Sequence, residues 1–192
     1  RQRQMCIRDS FIIRAKELDP DFRCYPDVLD YISETKDSDY RKGFLSKLTD
    51  KDLDGLLKTS LYPYQKEGIR FAFGKGKSII ADEMGLGKTV QAIGAAELLR
   101  KAGLVSSVLI VCPTSLKYQW QKEIEKFTDS SAMVIEGDPV KRAQMYKSDV
   151  FYKIVSYHAM NRDVRLKGEM FAECVIMDEV QRLKNWNTPV SY

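Results

Sequence analysis

The pattern of apolar and polar positions changes near Leu61, where a helical pattern gives way to strands that alternate with helices. Before that point, apolar residues recur three and four positions apart, which is typical of amphipathic helices. Pro20 and Pro26 divide this part into short pieces. We therefore predict a small helical N-terminal extension over 10–60. Residues 1–9 show neither helical nor strand periodicity, and we expect them to be a non-native or disordered tail.

From Leu61 onward, short apolar runs are separated by segments with helical periodicity. The candidate strands are Ser78–Ala81, Ser107–Cys112, Ala132–Glu136, Lys153–Ser156 and Glu173–Met177. The candidate helices are Tyr64–Phe73, Thr89–Lys101, Ser115–Phe127, Pro139–Tyr146 and a weaker one after Tyr157. Such alternation indicates a parallel sheet with helices on both faces. We predict an α/β domain over 61–192.

Composition narrows the function classes without choosing one. The 192 residues are 44% hydrophobic, and no apolar run approaches the roughly 20 residues of a membrane span. No secretory signal is visible, so we expect an intracellular protein. A net charge of +4 is compatible with nucleic-acid binding but does not establish it. The single histidine and four scattered cysteines argue against a zinc site.

The first chemical motif is a glycine-bearing loop between the candidate strand at Ser78–Ala81 and the helix that follows. Gly85 and Gly87 allow backbone N–H groups to approach phosphate oxygens, and the helix N-terminus favours negative charge. Lys88 adds a cation, and the hydroxyl of Thr89 can bind magnesium. The first glycine of the general phosphate-loop pattern is replaced by Asp82.

A second motif follows the last candidate strand, where Asp178 and Glu179 stand at the carboxyl end. Ligands of open α/β sheets collect at that edge. One carboxylate there can hold magnesium against the phosphates, and its neighbour can orient or deprotonate the attacking water. An acidic pair alone is more often a solvated turn. Together with the upstream phosphate loop, it favours nucleotide hydrolysis.

Four stretches together resemble successive motifs of the Swi/Snf-type helicase-like ATPases of helicase superfamily two. They are Leu61–Gly68, Ala81–Thr89, Pro113–Leu116 with Trp120, and Asp178–Asn185, in the order that this family has them. The Asp-Glu-Met-Gly-Leu-Gly-Lys-Thr form of the phosphate loop is close to a family signature and accounts for Asp82. The resemblance implies a RecA-like lobe, the N-terminal one of two motor lobes, which is truncated here.

The resemblance also assigns roles to individual residues. It implies that Gln65 reads the adenine edge, and that ATP is bound by Asp82, Gly85, Leu86, Gly87, Lys88 and Thr89. It implies magnesium ligation by Thr89 and Asp178, and catalysis by Lys88, Asp178 and Glu179. Contacts to the DNA sugar-phosphate backbone fall on Pro113, Thr114, Ser115 and Lys117. Gln181 stands where many relatives have histidine, and we expect it to hydrogen-bond a neighbouring motif.

The function implied is that of an ATP- and Mg²⁺-dependent double-stranded DNA translocase that remodels protein–DNA complexes. It would act in the nucleus of a eukaryote, or in the cytoplasm or nucleoid of a prokaryote. No match to the family's later motifs is present, and those motifs supply arginine fingers from the second lobe. We therefore expect a fragment that binds ATP and hydrolyses it poorly. Two alternatives remain open, a strand-separating helicase and a nucleotide-gated interaction module that has lost hydrolysis.

Overall fold

Four parallel strands form the sheet around which the other elements of the protein are arranged. The computed structural model describes residues 13–20, 23, 25–81, 85–163 and 172–183, so the predicted tail at 1–9 lies outside the described residues. The strands are β1 (Val108–Cys112), β2 (Ala132–Val134), β3 (Tyr152–Ser156) and β4 (Cys174–Met177). Their order in the sheet is β2-β3-β1-β4, which confirms the predicted parallel α/β class.

Helices precede the sheet and connect its strands. They are α1 (Pro26–Leu45), α2 (Asp50–Asp54), α3 (Pro63–Lys75), α4 (Lys88–Lys101), α5 (Lys117–Phe127), α6 (Pro139–Lys147) and α7 (Tyr157–Asp163). Residues 13–18 are also helical, and 3₁₀ turns occur at Thr114–Leu116 and Val180–Leu183. Each predicted helix after Leu61 is present within a few residues of its expected ends. No helix in the described ranges is long and apolar enough to cross a membrane.

Strand β1 lies between β3 and β4, and all five of its side chains are buried. Side chains at alternate positions of a strand point to opposite faces of the sheet. Val108, Ile110 and Cys112 belong to the larger core, which includes residues of α3, α4 and α5. Leu109 and Val111 belong to a second core with residues of α6 and α7. The continuous apolar run of β1 is therefore explained by helices on both faces.

The predicted strand at Ser78–Ala81 is wrong. These residues have no strand pairing, and the side chain of Ile79 is 86% exposed. Among the described residues, β4 pairs only with β1, and the side chain of Val175 on β4 is half exposed. A short apolar run becomes a strand only where a neighbouring strand accepts its backbone hydrogen bonds. No such partner lies beside 78–81 in the described part of the chain.

The N-terminal helices pack against the α/β part. A capping box is present at Thr49, because its hydroxyl and the Asp52 carboxylate each accept a hydrogen bond from the backbone N–H of the other residue. Leu53 and Leu57 are buried in the same core as α3 and α4. The rings of Phe44 and Phe73 lie 5.3 Å apart. A boundary near Leu61 stays a prediction, since the core is continuous across it.

Helices α3 and α4 approach each other closely at Gly94. A Cβ at this position would lie 3.0 Å from Cγ1 of Ile69 and 3.6 Å from Cδ1 of Leu57. Ile69 is fully buried and has little room to move aside. Glycine at 94 therefore lets the two backbones approach to a distance that any larger residue would prevent.

A buried ion pair joins α6 to α7. The Arg142 guanidinium donates two hydrogen bonds to the Asp163 carboxylate, at 2.8 and 2.6 Å, and a third to the Gly137 carbonyl. The hydroxyl of Tyr146 also donates to Asp163, at 3.2 Å. The Asp163 carboxylate raises the pKa of Arg142 further above its usual value. Because both charges are buried, neither residue can lose its partner cheaply.

We predict that Gly94→Ala lowers the free energy of unfolding of the chain by about 1–2 kcal/mol, because the added methyl overpacks the α3–α4 contact. Urea unfolding measures the change. Gly43→Ala is the matched control, because Gly43 also lies within a helix and its Cβ would meet nothing within 4 Å. That variant should gain up to about 1 kcal/mol from helix propensity. Equal changes in the two variants would contradict the packing argument.

We predict that Asp163→Asn lowers the free energy of unfolding by roughly 3 kcal/mol, since it leaves the Arg142 charge buried without a carboxylate. The same urea titration applies. Asp129→Asn removes the partner of Lys58 in an ion pair whose Asp129 side chain is 92% exposed, and it should cost less than about 1 kcal/mol. A similar loss in both variants would show that burial of the ion pair is unimportant.

Candidate functional site

The predicted phosphate loop runs directly into the N-terminus of α4. Gly87 is the N-cap residue with φ 74°, and Gly85 has φ 88°, both in the left-handed region that favours glycine. The helix begins at Lys88, one residue earlier than predicted, and Thr89 lies in its first turn. The loop therefore places the backbone N–H groups of a helix start beside a lysine and a hydroxyl.

Gln65 connects the start of α3 to this loop. Its side-chain oxygen accepts a hydrogen bond from the Tyr62 N–H at 3.1 Å, and its Nε2 donates to the Leu86 carbonyl at 3.4 Å. The residue is buried, and a Cβ at Gly87 would lie 2.5 Å from Nε2. Gln65 is thus in contact with the loop that the sequence assigns to ATP. Asp82, also assigned to ATP, lies outside the described residues.

The loop lies toward the carboxyl edge of the sheet. Near the other end of α4, Glu97 accepts a hydrogen bond from the Tyr152 hydroxyl, and Tyr152 is the first residue of β3. Lys88 is nine residues before Glu97, which places it about 13 Å farther along the helix. Because α4 leads back to the start of β1, its N-terminus points to the edge where the strands end.

Asp178 immediately follows β4, and three elements fix its position. Its N–H donates to the Val111 carbonyl at 2.9 Å, which continues the β1–β4 ladder by one residue. The Tyr157 hydroxyl donates to its carbonyl oxygen at 2.6 Å. The Trp120 indole N–H donates to carboxylate oxygen Oδ2 at 2.9 Å. The sheet, α7 and α5 therefore all contact this one residue.

Burial changes the protonation chemistry around Asp178. Desolvation, and then the Asp178 charge, raise the pKa of the Tyr157 hydroxyl to about 12. The same two causes, in the same order, raise the pKa of the Cys112 thiol to about 12. Both groups stay protonated at neutral pH, so Tyr157 acts as a hydrogen-bond donor and Cys112 is an unreactive thiol.

Glu179 has an unusual backbone conformation for a non-glycine residue, with φ 55°. Its carboxylate accepts a hydrogen bond from the Gln181 side-chain amide in the following 3₁₀ turn. The partner of Gln181 thus lies in the same motif, whereas a partner in a neighbouring motif was expected from the sequence. Strained backbone positions cluster at functional sites, although strain alone does not identify one.

The residues assigned to DNA lie just after β1, at the same edge. Thr114 and Ser115 are exposed in the 3₁₀ turn, whereas Pro113 is buried. The Lys117 ammonium is also buried and pairs with Glu136 at 3.0 Å. Hydrogen bonds from Tyr118, the larger cause, and from Lys117 lower the pKa of the Glu136 carboxyl. The Lys117 charge is therefore directed to Glu136 and not to solvent.

The sequence missed three partners in this region, namely Trp120 and Tyr157 at Asp178, and Glu136 at Lys117. Trp120 lies on the core face of α5, together with Ile124 and Phe127. Its need for a hydrogen-bond acceptor could have been inferred, because buried indole N–H groups are normally paired. The identity of the acceptor depends on how β4 lies beside β1, which no local pattern shows.

The chain is similar to known proteins in both sequence and fold. The protein-family model described as "SNF2-related domain" matches residues 64–191. Chromodomain-helicase-DNA-binding protein 8 of Danio rerio is 30% identical over 66% of this chain and 6% of its own length. DNA repair and recombination protein RAD54B of Homo sapiens is 33% identical over 72% of this chain and 17% of its own length. The chain thus spans a small part of these relatives.

Among solved structures, the Sulfolobus solfataricus SWI2/SNF2 ATPase core in complex with double-stranded DNA is similar in fold, with a TM-score of 0.61. The sequences are 33% identical, and the match covers 69% of this chain and 28% of that one. This likeness confirms the expected RecA-like architecture of a parallel sheet flanked by helices. The family model covers more than half of the chain, and the motifs at Gln65, Lys88 and Asp178 fall within its match. The chain therefore belongs to the family of SNF2-related domains.

Proposed function

We propose that the chain is the ATP-binding lobe of an ATP-dependent motor that moves along double-stranded DNA, of the kind that remodels protein–DNA complexes. The carrying observation is the placement of the loop that ends at Lys88 and of the acidic pair Asp178–Glu179 toward one edge of one sheet. Family membership supports the proposal. The structurally similar SWI2/SNF2 ATPase core was solved in complex with double-stranded DNA, which supports double-stranded DNA as the substrate of this chain.

The residues at this edge fit a magnesium nucleotide. The hydroxyl of Thr89 and the carboxylate of Asp178 are the hard oxygen ligands that magnesium prefers. Lys88 and the N–H groups at the start of α4 suit a polyphosphate. Gln65 can read an adenine edge through an amide that both donates and accepts. When bound, magnesium would neutralise the charge that develops on the phosphates.

Within this proposal, the acidic pair divides two tasks. Asp178 binds the metal, and its backbone is already fixed by the ladder to Val111. Glu179 orients the attacking water and accepts its proton, and its carboxylate can accept a hydrogen bond from the water in addition to the one from the Gln181 amide. The chain alone should bind nucleotide but turn it over slowly, because an arginine from a second lobe is expected to complete the site.

For DNA, the exposed hydroxyls of Thr114 and Ser115 are the side chains best placed to meet the sugar-phosphate backbone. Lys117 is not a proposed DNA contact, because its side chain is buried against Glu136. Lys122, which is exposed on α5, is a source of positive charge on the helix that follows this turn. Contacts of this kind position a motor without reading base sequence. An intracellular location remains part of the proposal.

We predict that Glu179→Gln in the complete protein lowers DNA-stimulated ATP hydrolysis by at least about 100-fold, because the substitution removes a general base. Nucleotide affinity should change less than about threefold. Steady-state ATPase assays with duplex DNA and binding of a fluorescent ATP analogue measure the two quantities. Glu125→Gln, at an exposed position on α5, is the control and should leave both unchanged.

The ATPase assay, the Glu179→Gln variant and a duplex-separation assay together distinguish the alternative functions. A wild-type protein without DNA-stimulated ATPase activity would contradict the motor proposal. Unchanged biological function in Glu179→Gln would support the nucleotide-gated module. ATP-dependent separation of a labelled duplex would favour a strand-separating helicase over a translocase.

A further inference from the structure

The indole of Trp120 is directed at the carboxylate that the proposed function assigns to magnesium. Trp120 is 5% exposed, and its Nε1–H lies 2.9 Å from Oδ2 of Asp178. A buried indole N–H without an acceptor carries a desolvation cost, and a carboxylate acceptor makes the bond stronger than a neutral one. The contact spans 58 positions of the chain and joins α5 to the end of β4.

The backbone of Asp178 does not need this bond. Its N–H is held by Val111 of β1, and its carbonyl oxygen is held by the Tyr157 hydroxyl of α7. Trp120 is thus the contact that acts on the side chain, whereas the other two act on the main chain. A carboxylate can rotate about its side-chain bonds even when its backbone is fixed.

We propose that Trp120 is a positioning residue, which holds Oδ2 of Asp178 and thereby presents the carboxylate to the magnesium of a bound nucleotide. The inference rests on the proposed function, in which Asp178 is a metal ligand. Groups that orient a metal ligand through a hydrogen bond typically contribute 10- to 100-fold to metal affinity or activity. Trp120 lies on the helix that follows Thr114–Leu116, so this helix links the metal carboxylate with the segment proposed to face DNA.

A purely structural role makes a different prediction. Trp120 lies on the core face of α5 with Ile124 and Phe127, and its loss would create a cavity whether or not it positions Asp178. Cavity formation lowers stability but gives no reason for metal affinity to fall while metal-free nucleotide affinity is kept. The separation of these two affinities therefore distinguishes positioning from packing.

We predict that Trp120→Phe in the complete protein weakens Mn²⁺ binding, in the presence of a non-hydrolysable ATP analogue, by about 10-fold. Electron paramagnetic resonance of free Mn²⁺ measures this affinity without any catalytic turnover. Binding of a fluorescent ATP analogue in EDTA should change less than about twofold. The Mg²⁺ concentration that half-saturates DNA-stimulated hydrolysis should rise in parallel.

Two further variants show whether a loss of Mn²⁺ affinity comes from the missing N–H donor or only from a loss of folding. Replacement of Trp120 by 3-benzothienylalanine keeps the bicyclic ring and exchanges only the N–H for sulfur, so it should reproduce the loss of Mn²⁺ affinity with native thermal stability. Tyr152→Phe is the matched control, because it also removes an aromatic donor from a buried contact to a carboxylate, that of Glu97, 3.0 Å away at the amino edge. It should leave Mn²⁺ affinity unchanged.

The outcomes separate the two proposals. Mn²⁺ affinity within twofold of wild type in the benzothienylalanine protein would overturn the positioning role and leave the proposed function standing. An equal loss of affinity in Tyr152→Phe would also overturn it. A wild-type protein that binds neither the analogue nor Mn²⁺ with it would overturn the proposed function, and the positioning role with it.

Discussion

The structure depends on strand β1, which is buried on both faces and paired along both edges. A strand in this position favours apolar side chains, because any buried polar group needs a partner, and its backbone must find all of its partners within the sheet. Val108–Cys112 meets both requirements, with β3 on one side and β4 on the other. Because all three strands are parallel, their carboxyl ends lie at one edge. The residues after each strand are thereby brought together without any direct sequence relation.

The candidate functional residues lie at that edge of the sheet. Thr114 and Ser115 follow β1, Tyr157 follows β3 and Asp178 follows β4. Helix α4 contributes its N-terminus from the larger-core face, where Gly94 permits its close approach to α3. The ladder bond from Asp178 to Val111 shows how directly the sheet determines the site, since the last bond of the β1–β4 pair also fixes the backbone of Asp178.

Much of this arrangement could be predicted from the sequence because it depends on local signals. Alternating apolar runs and helical segments predicted a parallel α/β fold, and the Asp82–Thr89 and Asp178–Glu179 motifs indicated a candidate nucleotide site. The strand predicted at Ser78–Ala81 failed for a physical reason. An apolar run indicates that its side chains favour burial. Whether a partner strand lies beside the run depends on the arrangement of the whole sheet. Ile79 is exposed, and no described strand lies beside it.

Side-chain partners at the site could not be predicted for a related reason. A buried tryptophan, lysine or arginine shows in the sequence that it needs a polar partner, and topology alone decides which one. Lys117 illustrates the consequence, because a lysine that the motif assigns to DNA is satisfied by Glu136 from the loop after β2. Trp120 illustrates the converse, because a residue on the core face of α5 also donates a hydrogen bond to Asp178. The register of β4 against β1 brings that carboxylate within reach, so the sheet that buries the indole also supplies its acceptor.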